Sequence, residues 1–368
     1  MTHVYVHVPF CVRRCSYCDF SIAVRKHIPA AEYVDTVGRE LESAHLDAKL
    51  ETIYLGGGTP SLLPAEAIQA LLFRIPHSDL DTEITLEANP EDVTDAAVRS
   101  WRSAGVNRIS LGAQSFDDGV LKWMHRSHDA ARIGDAVRTL RDAGIENISL
   151  DLIFALPDEL QRDWNRDLDS AITLRPTHVS LYGLTVEERT PLDRWISRGA
   201  TKLPADDRYA EEYLAAHTRL NADGYQFYEV SNASRDGFRS RHNSAYWSGR
   251  PYVGLGPAAH SFDGLARRWN LRAWEAYRRA IAAGRSVVES EEVLTPEQQE
   301  LERIYLALRT SDGLALTARY RPLPPLTADW LEQGWLVEQG DRLRCTAEGW
   351  LRLDALVAKL FAAKELAS

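Results

Sequence analysis

Short apolar runs alternate with longer amphipathic stretches along the first half of the chain. The runs are Val4–Val8, Thr52–Leu55, Glu83–Glu87, Arg108–Leu111, Ile148–Ile153 and Val179–Leu184. Each is built mainly from Val, Ile, Leu or Tyr, as strands covered on both faces are. Between them lie segments such as Ala30–Ala48 and Asp129–Ala143, whose apolar residues recur at helical spacing. Strands alternating with helices predict βαβ units and a parallel sheet. Six such units predict an α/β fold, a partial (β/α)6 barrel over residues 1–230, with an open doubly wound sheet as the alternative.

The positions of the unusual residues favour the barrel. PFCVRRCSYC follows the first run, GGGTP the second and GAQSF the fourth. EANP ends the third, DLIFALP closes the fifth, and the sixth leads into Thr185-Val186-Glu187. Barrel enzymes build their sites from the loops at the C-terminal ends of the strands.

Beyond the repeats the character changes twice. Residues 231–290 open with SNASRDGFRSRHNSAYWSGRPYVGLGPAAHSF, too aromatic for a flexible linker. They are expected to form a connecting segment that crosses the barrel or caps its mouth. Residues 291–368 are expected to form a small C-terminal helical, winged-helix-like domain. Thr295-Pro296-Glu297-Gln298 combines an N-cap, a first-turn proline and a capping-box glutamine. A helix near Ala328–Gln333, a hairpin of Trp335–Glu338 with Arg342–Cys345, and a final helix over Ala347–Ala363 follow.

Composition narrows the partners. The 368 residues are 45% hydrophobic and 26% charged, as in a globular protein, and the net charge is −10. That sign argues against nucleic acid and against an anionic membrane surface. The winged region carries nine Lys and Arg against thirteen Asp and Glu, so it reads as a packing or partner surface. No apolar run approaches the roughly 18 residues that span a bilayer. The first residues, MTHVYVHVPFC, do not form a signal peptide. A cytoplasmic protein with no nucleic-acid partner and no direct membrane insertion is expected.

The cysteines carry the first chemical signal. Cys11, Cys15 and Cys18 sit within eight residues, whereas Cys345 stands alone and reads as a buried apolar residue. Clustering of this kind points to a metal centre rather than to a disulfide framework. Three thiolates on one loop suit an iron–sulfur cluster with one iron left open, or a zinc site completed from elsewhere in the chain. Glu87 and Asp151 are carboxylates inside apolar runs, which is costly unless they are paired or bind a ligand. The Gly56-Gly57-Gly58 run lets backbone approach a ligand closely, and without a following Gly-Lys-Ser/Thr it is not a phosphate-binding loop.

Cys-x3-Cys-x2-Cys at the first strand of a partial barrel resembles the radical S-adenosylmethionine (SAM) superfamily. The longer string YVHVPFCVRRCSYCDF resembles its anaerobic coproporphyrinogen III oxidase-like family, and within it the HemW branch of haem chaperones. The resemblance runs from Tyr5 through the C-terminal domain. It implies a [4Fe-4S] cluster held by Cys11, Cys15 and Cys18, with SAM on the open iron. It assigns Tyr5, Gly57 and Glu87 to that SAM site. Tyr17, Gly58, Thr59, Gln114, Arg126 and Asp151 match positions lining a second SAM site in the oxidase. The oxidase has a further cysteine two residues after the third, where this chain has Phe20, and a long extension ahead of its barrel, where this chain has four residues before Tyr5. Both departures match the chaperone branch.

The string His242-Asn243-Ser244-Ala245-Tyr246-Trp247 matches the HNxxYW motif of that branch. It implies haem as cargo, with His242 as iron ligand and Arg239, Arg241 and Arg250 available for propionates. His260 ranks second as a ligand. The alternative for His242 is a capped turn, with Tyr246 and Trp247 in an interdomain contact. The function implied is haem binding and delivery to haem-acceptor apoproteins, with a haem donor protein upstream. The competing readings are oxygen-independent coproporphyrinogen III oxidase and a zinc-dependent protein-binding scaffold.

Overall fold

Six strands pair in sequence order, and every neighbour is parallel: β1 (His3–Val8), β2 (Thr52–Gly57), β3 (Glu83–Ala88), β4 (Arg108–Gln114), β5 (Asn147–Phe154) and β6 (His178–Gly183). Helices α1 (Ala30–Glu42), α2 (Ala65–Arg74), α3 (Asp95–Ser103), α4 (Ala130–Asp142), α5 (Trp164–Thr173) and α6 (Asp206–Ala222) follow them in turn. This is the partial (β/α)6 barrel. The computed structural model describes residues 1–365 apart from 45, 48, 77–80, 319, 322 and 324. The end expected at Ala48 for the first helix, and the last three residues of the chain, lie outside the described residues.

The helices start where side chains replace missing partners of the first-turn N–H groups. Thr94, Asp129 and Asp163 accept from the backbone N–H of Ala97, Arg132 and Arg166 at the starts of α3, α4 and α5. Their apolar stripes pack on one face of the strands. Val4, Val6 and Val8, Ile53 and Leu55, Ile109 and Leu111, and Leu150 and Leu152 are fully buried there.

Both faces of these strands are buried, as expected, but the second face is polar. His3, Tyr5 and His7 alternate with the valines of β1; Arg108 and Ser110 alternate along β4, and Ser149 and Asp151 along β5. These residues hydrogen-bond across the barrel interior, as Tyr54 does to Glu87 and Ser110 to Asp151. A barrel interior usually fills with branched aliphatics; this one is polar.

Residues 231–290 add to the same sheet. β7 (Gln226–Glu229) and β8 (Asn232–Ser234) form an antiparallel hairpin on β6, and β9 (Val253–Leu255) pairs in parallel with β1. Between them helix α7 (Arg241–Trp247) lies against the N-terminal ends of β2 and β3, opposite the mouth. Strands His260–Phe262, Ala266–Asn270 and Val288–Val293 make a separate antiparallel sheet.

The C-terminal part is helical with a three-stranded wing. Helix Pro296–Arg309 begins with the expected capping box. Strands Leu336–Gln339 and Arg342–Cys345 form the hairpin, with Leu314–Ala315 on the free edge of the second. The single final helix expected over Ala347–Ala363 is instead two, Ala347–Trp350 and Leu353–Glu365. At the end of the first, Trp350 Nε1 donates to the Leu308 carbonyl at 3.0 Å. Gly349 is also pressed on the Trp335 carbonyl, where a Cβ would sit 1.9 Å away. Arg309 pairs with the buried Glu229 of β7 at 2.8 Å, tying this part to the barrel.

Candidate functional site

A cavity of about 430 Å³ opens at the C-terminal ends of the strands. Cys11, Cys15 and Cys18 line it from the loop after β1, Gly57, Gly58 and Thr59 from the end of β2, and Glu87 from β3. Gln114, Arg126, Asp151 and Tyr17 complete its wall. The structure thus brings eleven of the thirteen residues expected in the site to one cavity. Tyr5 and His242 are the two it places elsewhere.

The loop carrying the cysteines is anchored by parallel pairing of Phe10–Cys11 with Ala23–Val24 and by the Thr59 N–H donating to the Phe10 carbonyl at 2.9 Å. Cys11 Sγ lies 3.4 Å from the Thr59 hydroxyl, and Arg126 Nη1 lies 3.7 Å from Cys15 Sγ. Burial raises the Cys11 thiol and pushes Cys18 up to about 12, so in this state these two groups keep their protons. Among the described residues no three His, Cys, Asp or Glu side chains are drawn together as a metal-ligand set. Loading a metal centre would therefore draw the thiols inward and release their protons.

The surroundings fit an anionic cluster and a polar ligand. Gly57 has φ +112°, a left-handed conformation that a side chain would strain, and a Cβ there would meet the His7 ring at 2.6 Å. At Gly58 a Cβ would stand 2.8 Å from the Phe10 carbonyl oxygen. The glycines therefore form a cradle that leaves the Gly57 N–H to Glu87. Glu87 accepts from that N–H at 3.0 Å and from the Tyr54 hydroxyl at 2.9 Å. Burial pushes its carboxyl up to about 7, against the pull of these donors. Asp151 is pushed up to about 6, again by burial, while Ser110 and Ser149 donate to it.

Arg126 is fixed by Asn89 Oδ1 at 2.6 Å and the Gly112 carbonyl at 2.9 Å. Its buried Nε has no hydrogen-bond partner. That orphaned donor suits an anion. Gln114, with φ +68°, sits where the β4–β5 register shifts, so the strand end is bent toward the cavity. Sequence reasoning passed over Tyr54, Asn89, Ser110 and Tyr182. The inward alternation along the strands is the signal that marks Tyr54, Ser110 and Tyr182; Asn89 stands in the EANP string that ends the third run.

Tyr5 lies deeper, its hydroxyl 3.1 Å from His7 Nδ1 and its ring stacked on Tyr54. His242 is at the opposite end of the barrel and is fully buried. Its Nδ1 is 2.7 Å from the Thr52 hydroxyl and its Nε2 is 2.8 Å from the Tyr246 hydroxyl. Burial lowers its pKa to about 3. Both ring nitrogens are engaged, so in this structure neither offers a lone pair to an iron. The arginines around it have protein partners as well. Arg250 pairs with Glu51, Arg241 donates to the Asp81 carbonyl, and Arg239 pairs with Asp312. Trp247 lies under the Arg309 guanidinium, in contact with the C-terminal part.

Residues 5–171 match the radical SAM superfamily. Heme chaperone HemW of Mycobacterium tuberculosis (strain ATCC 25618 / H37Rv) is 37% identical over 366 residues, which cover 97% of this chain and 94% of the relative. Heme chaperone HemW of Escherichia coli (strain K12) is 34% identical over 377 residues, 98% of each chain. Among solved structures, the radical SAM enzyme coproporphyrinogen III oxidase (HemN) from Escherichia coli has a TM-score of 0.79 at 20% identity, covering 99% of this chain and 90% of that one. That likeness shows a shared fold through the C-terminal part. Relatives more than a third identical over nearly the whole length settle the assignment: the chain belongs to the HemW family of radical SAM proteins.

Proposed function

We propose that this protein is a haem chaperone, binding haem from a donor protein in the cytoplasm and delivering it to haem-requiring apoproteins. The observation that carries this reading is the full-length likeness to heme chaperone HemW, 37% identical over 97% of the chain. Membership of the radical SAM superfamily implies a [4Fe-4S] cluster and SAM. Cys11, Cys15 and Cys18 would hold that cluster, with SAM bound beside it. When bound, the pair supplies one-electron chemistry at the sulfonium.

The chain's own residues bind and orient. Glu87, placed by Tyr54 and the Gly57 N–H, would bind SAM, and Tyr5 backs this arrangement through Tyr54 and His7. Arg126 places a fixed cation beside Cys15, where it offsets the negative charge of a thiolate-bound cluster. Tyr17, Gly58, Thr59, Gln114 and Asp151, which with Arg126 match a second SAM site in the oxidase, line the same cavity beside the first. The division into 1–230, 231–290 and 291–368 is a barrel, a segment that closes its floor and flank, and a partner-facing winged module. No helix among the described residues is long and apolar enough to cross a membrane.

The test is transfer. Anaerobically reconstituted protein is loaded with haemin, separated from free haem and mixed with the apo form of a haem enzyme. Migration of the Soret band and recovery of that enzyme's activity are expected. In parallel, coproporphyrinogen III with SAM and reductant should give no protoporphyrinogen while an authentic oxidase does. Failure to retain haem, or catalytic product formation, would overturn the reading.

A further inference from the structure

Both margins of the main sheet are closed by neighbouring segments. At β9 the Gly254 N–H donates to Ser261 Oγ at 2.9 Å. At β7 the Ser311 N–H donates to the Tyr228 carbonyl at 2.9 Å, beside a bridge between Glu229 and Thr310. Bare margins are a hazard, because their free N–H and C=O groups pair with other strands.

The separate antiparallel sheet of residues 260–293 is built differently. Its inner strand, His260–Phe262, is committed toward the barrel, where Tyr252 and Phe262 exchange backbone hydrogen bonds at 2.8 and 3.0 Å. His260 lines a cavity at the mouth together with Gly57 and Glu87. Its ring stacks on Trp269, with centroids 5.8 Å apart, and makes no hydrogen bond among the described residues. The outer strand, Val288–Val293, pairs only with Ala266–Asn270, and all six of its residues are exposed. The wing's outer strand, Leu336–Gln339, is shorter and begins on a buried residue.

The ladder fixes which backbone groups of Val288–Val293 are open. The Leu294 N–H donates to the Leu265 carbonyl at 3.0 Å, toward the middle strand. Directions alternate along an antiparallel strand, so the groups of Glu292 and Ser290 also point inward. Those of Val293 and Glu291 point outward. The ion pair of Glu291 with Arg268 agrees, since side chains lie closest across pairs that exchange no backbone bonds. Two N–H and two C=O groups therefore stand open along one edge.

Charge selects what can pair with them. Glu289, Glu291 and Glu292 make up half of the strand. Arg268 pairs with Glu291, while Glu289 and Glu292 make no ion pair among the described residues. A second copy of the strand would bring three more glutamates against these, and like charges across a pair repel. Val288 and Val293, 41% and 57% exposed, bracket the acids and offer apolar contact at both ends.

We propose that Val288–Val293 is a docking edge for an extended basic segment of a partner protein, which joins the sheet as its fourth strand. Main-chain hydrogen bonds hold that segment, and its Lys or Arg side chains meet Glu289 and Glu292. The added strand lies three strand spacings, about 14 Å, from His260–Phe262 at the mouth. No residue of the edge belongs to the cluster, SAM or haem sites, so the proposal stands apart from the proposed function.

The experiment is calorimetric titration of the reconstituted full chain with a short peptide that alternates lysine with valine. Two control peptides are a form N-methylated at every residue and a form with glutamate in place of lysine. The lysine peptide should bind wild type, more weakly as salt screens the charges, and neither control should. V293P removes an outward N–H and no ladder bond, a position where an edge strand tolerates proline. It should weaken binding roughly tenfold or more with Tm unchanged. The double variant E289K E292K should lose the lysine peptide and take up the glutamate one, which keeps the test decisive if V293P does not fold. Equal binding of the plain and N-methylated peptides would show diffuse charge attraction and overturn the proposal. So would a wild-type chain that binds neither. A dimer in sedimentation that V293P abolishes would give the edge to a second copy and overturn the basic partner.

Discussion

The two ends of the barrel are built from the same kinds of residue and behave as opposites. At the floor, His3, Thr52, His242 and Tyr246 form one buried chain of hydrogen bonds, closed by Glu83 accepting from the N–H groups of Arg241 and His242. At the mouth, Arg126 keeps an unpartnered Nε, two carboxyls are held up by burial, and three thiols share a cavity. Of the floor groups named, His3 Nε2 alone has no partner among the described residues, and a network so nearly satisfied stabilises a fold, whereas open groups beside a cavity recognise ligands. Helix α7 makes the difference, because it plugs the floor while no element covers the mouth in the same way. Residue type alone does not separate the two ends; access does.

The contrast can be broken most sharply at the cysteines. C15A should abolish cluster binding, removing the broad absorbance near ~400 nm and taking iron from about four per chain to near zero. Retention of a full cluster in C15A would exclude this thiol as a ligand. A smaller effect is expected from E87Q, which keeps the shape but loses the charge. SAM affinity by calorimetry should fall roughly tenfold to a hundredfold, the range for a lost charge-assisted hydrogen bond. Equal affinity would remove Glu87 from the site.

Glu87 also has a signature in the ligand-free protein. Its carboxyl is raised from 4.5 to about 7 by burial, so between these values the native state holds a proton that the unfolded chain has lost. Its contribution therefore makes the protein less stable as pH rises through that window. Glu40, buried against Asn270, Gly256 and Tyr277 and also raised to about 7, acts in the same sense. Urea unfolding at about pH 5 and about pH 7 should show a more favourable pH trend for E87Q than for wild type. Parallel trends would refute the shift.

At the floor, H242A should cost about 2–4 kcal/mol, since it opens a cavity, takes the Tyr246 hydroxyl's partner and leaves Thr52 only His3. Thermal melting reads this as a lower Tm with SAM affinity unchanged; a loss of SAM affinity without a lower Tm would put His242 in the ligand site. The least effect belongs to the rim of the floor. Arg250 holds Glu51 at 2.7 Å and keeps its carboxyl down at about 2, but both side chains are more than a third exposed. R250A should therefore cost no more than ~1 kcal/mol at neutral pH. The wild-type advantage, present above about 4.5, should vanish as pH falls through about 2.

The barrel was legible because six runs of buried strand alternate with capped amphipathic helices, and because the unusual loops all follow strand ends. The capping box at Thr295 and the hairpin ending at Cys345 were legible for the same reason, being local signals. The break after Trp350 was not, in a segment where Trp350 and Gly349 meet Leu308 and Trp335, contacts that no local pattern contains. The polar interior was half visible. Burial of both strand faces was legible, while the polar character of one face lay in the alternation of His3, Tyr5 and His7 with three valines.

The order of residues determined the class of fold, the loop that carries three thiols, and the family to which the chain belongs. These depend on period and spacing, which are local. Which histidine is spent and which is free was decided only by tertiary structure. His242 sits in the more conspicuous motif, but chain folding brings Thr52, 190 positions away, against its ring. His260 sits in a plainer string, but strand pairing stacks it on Trp269 at the wall of a cavity. Hydrogen-bond satisfaction and access to solvent are properties of the packed chain, and neighbours along the sequence do not contain them.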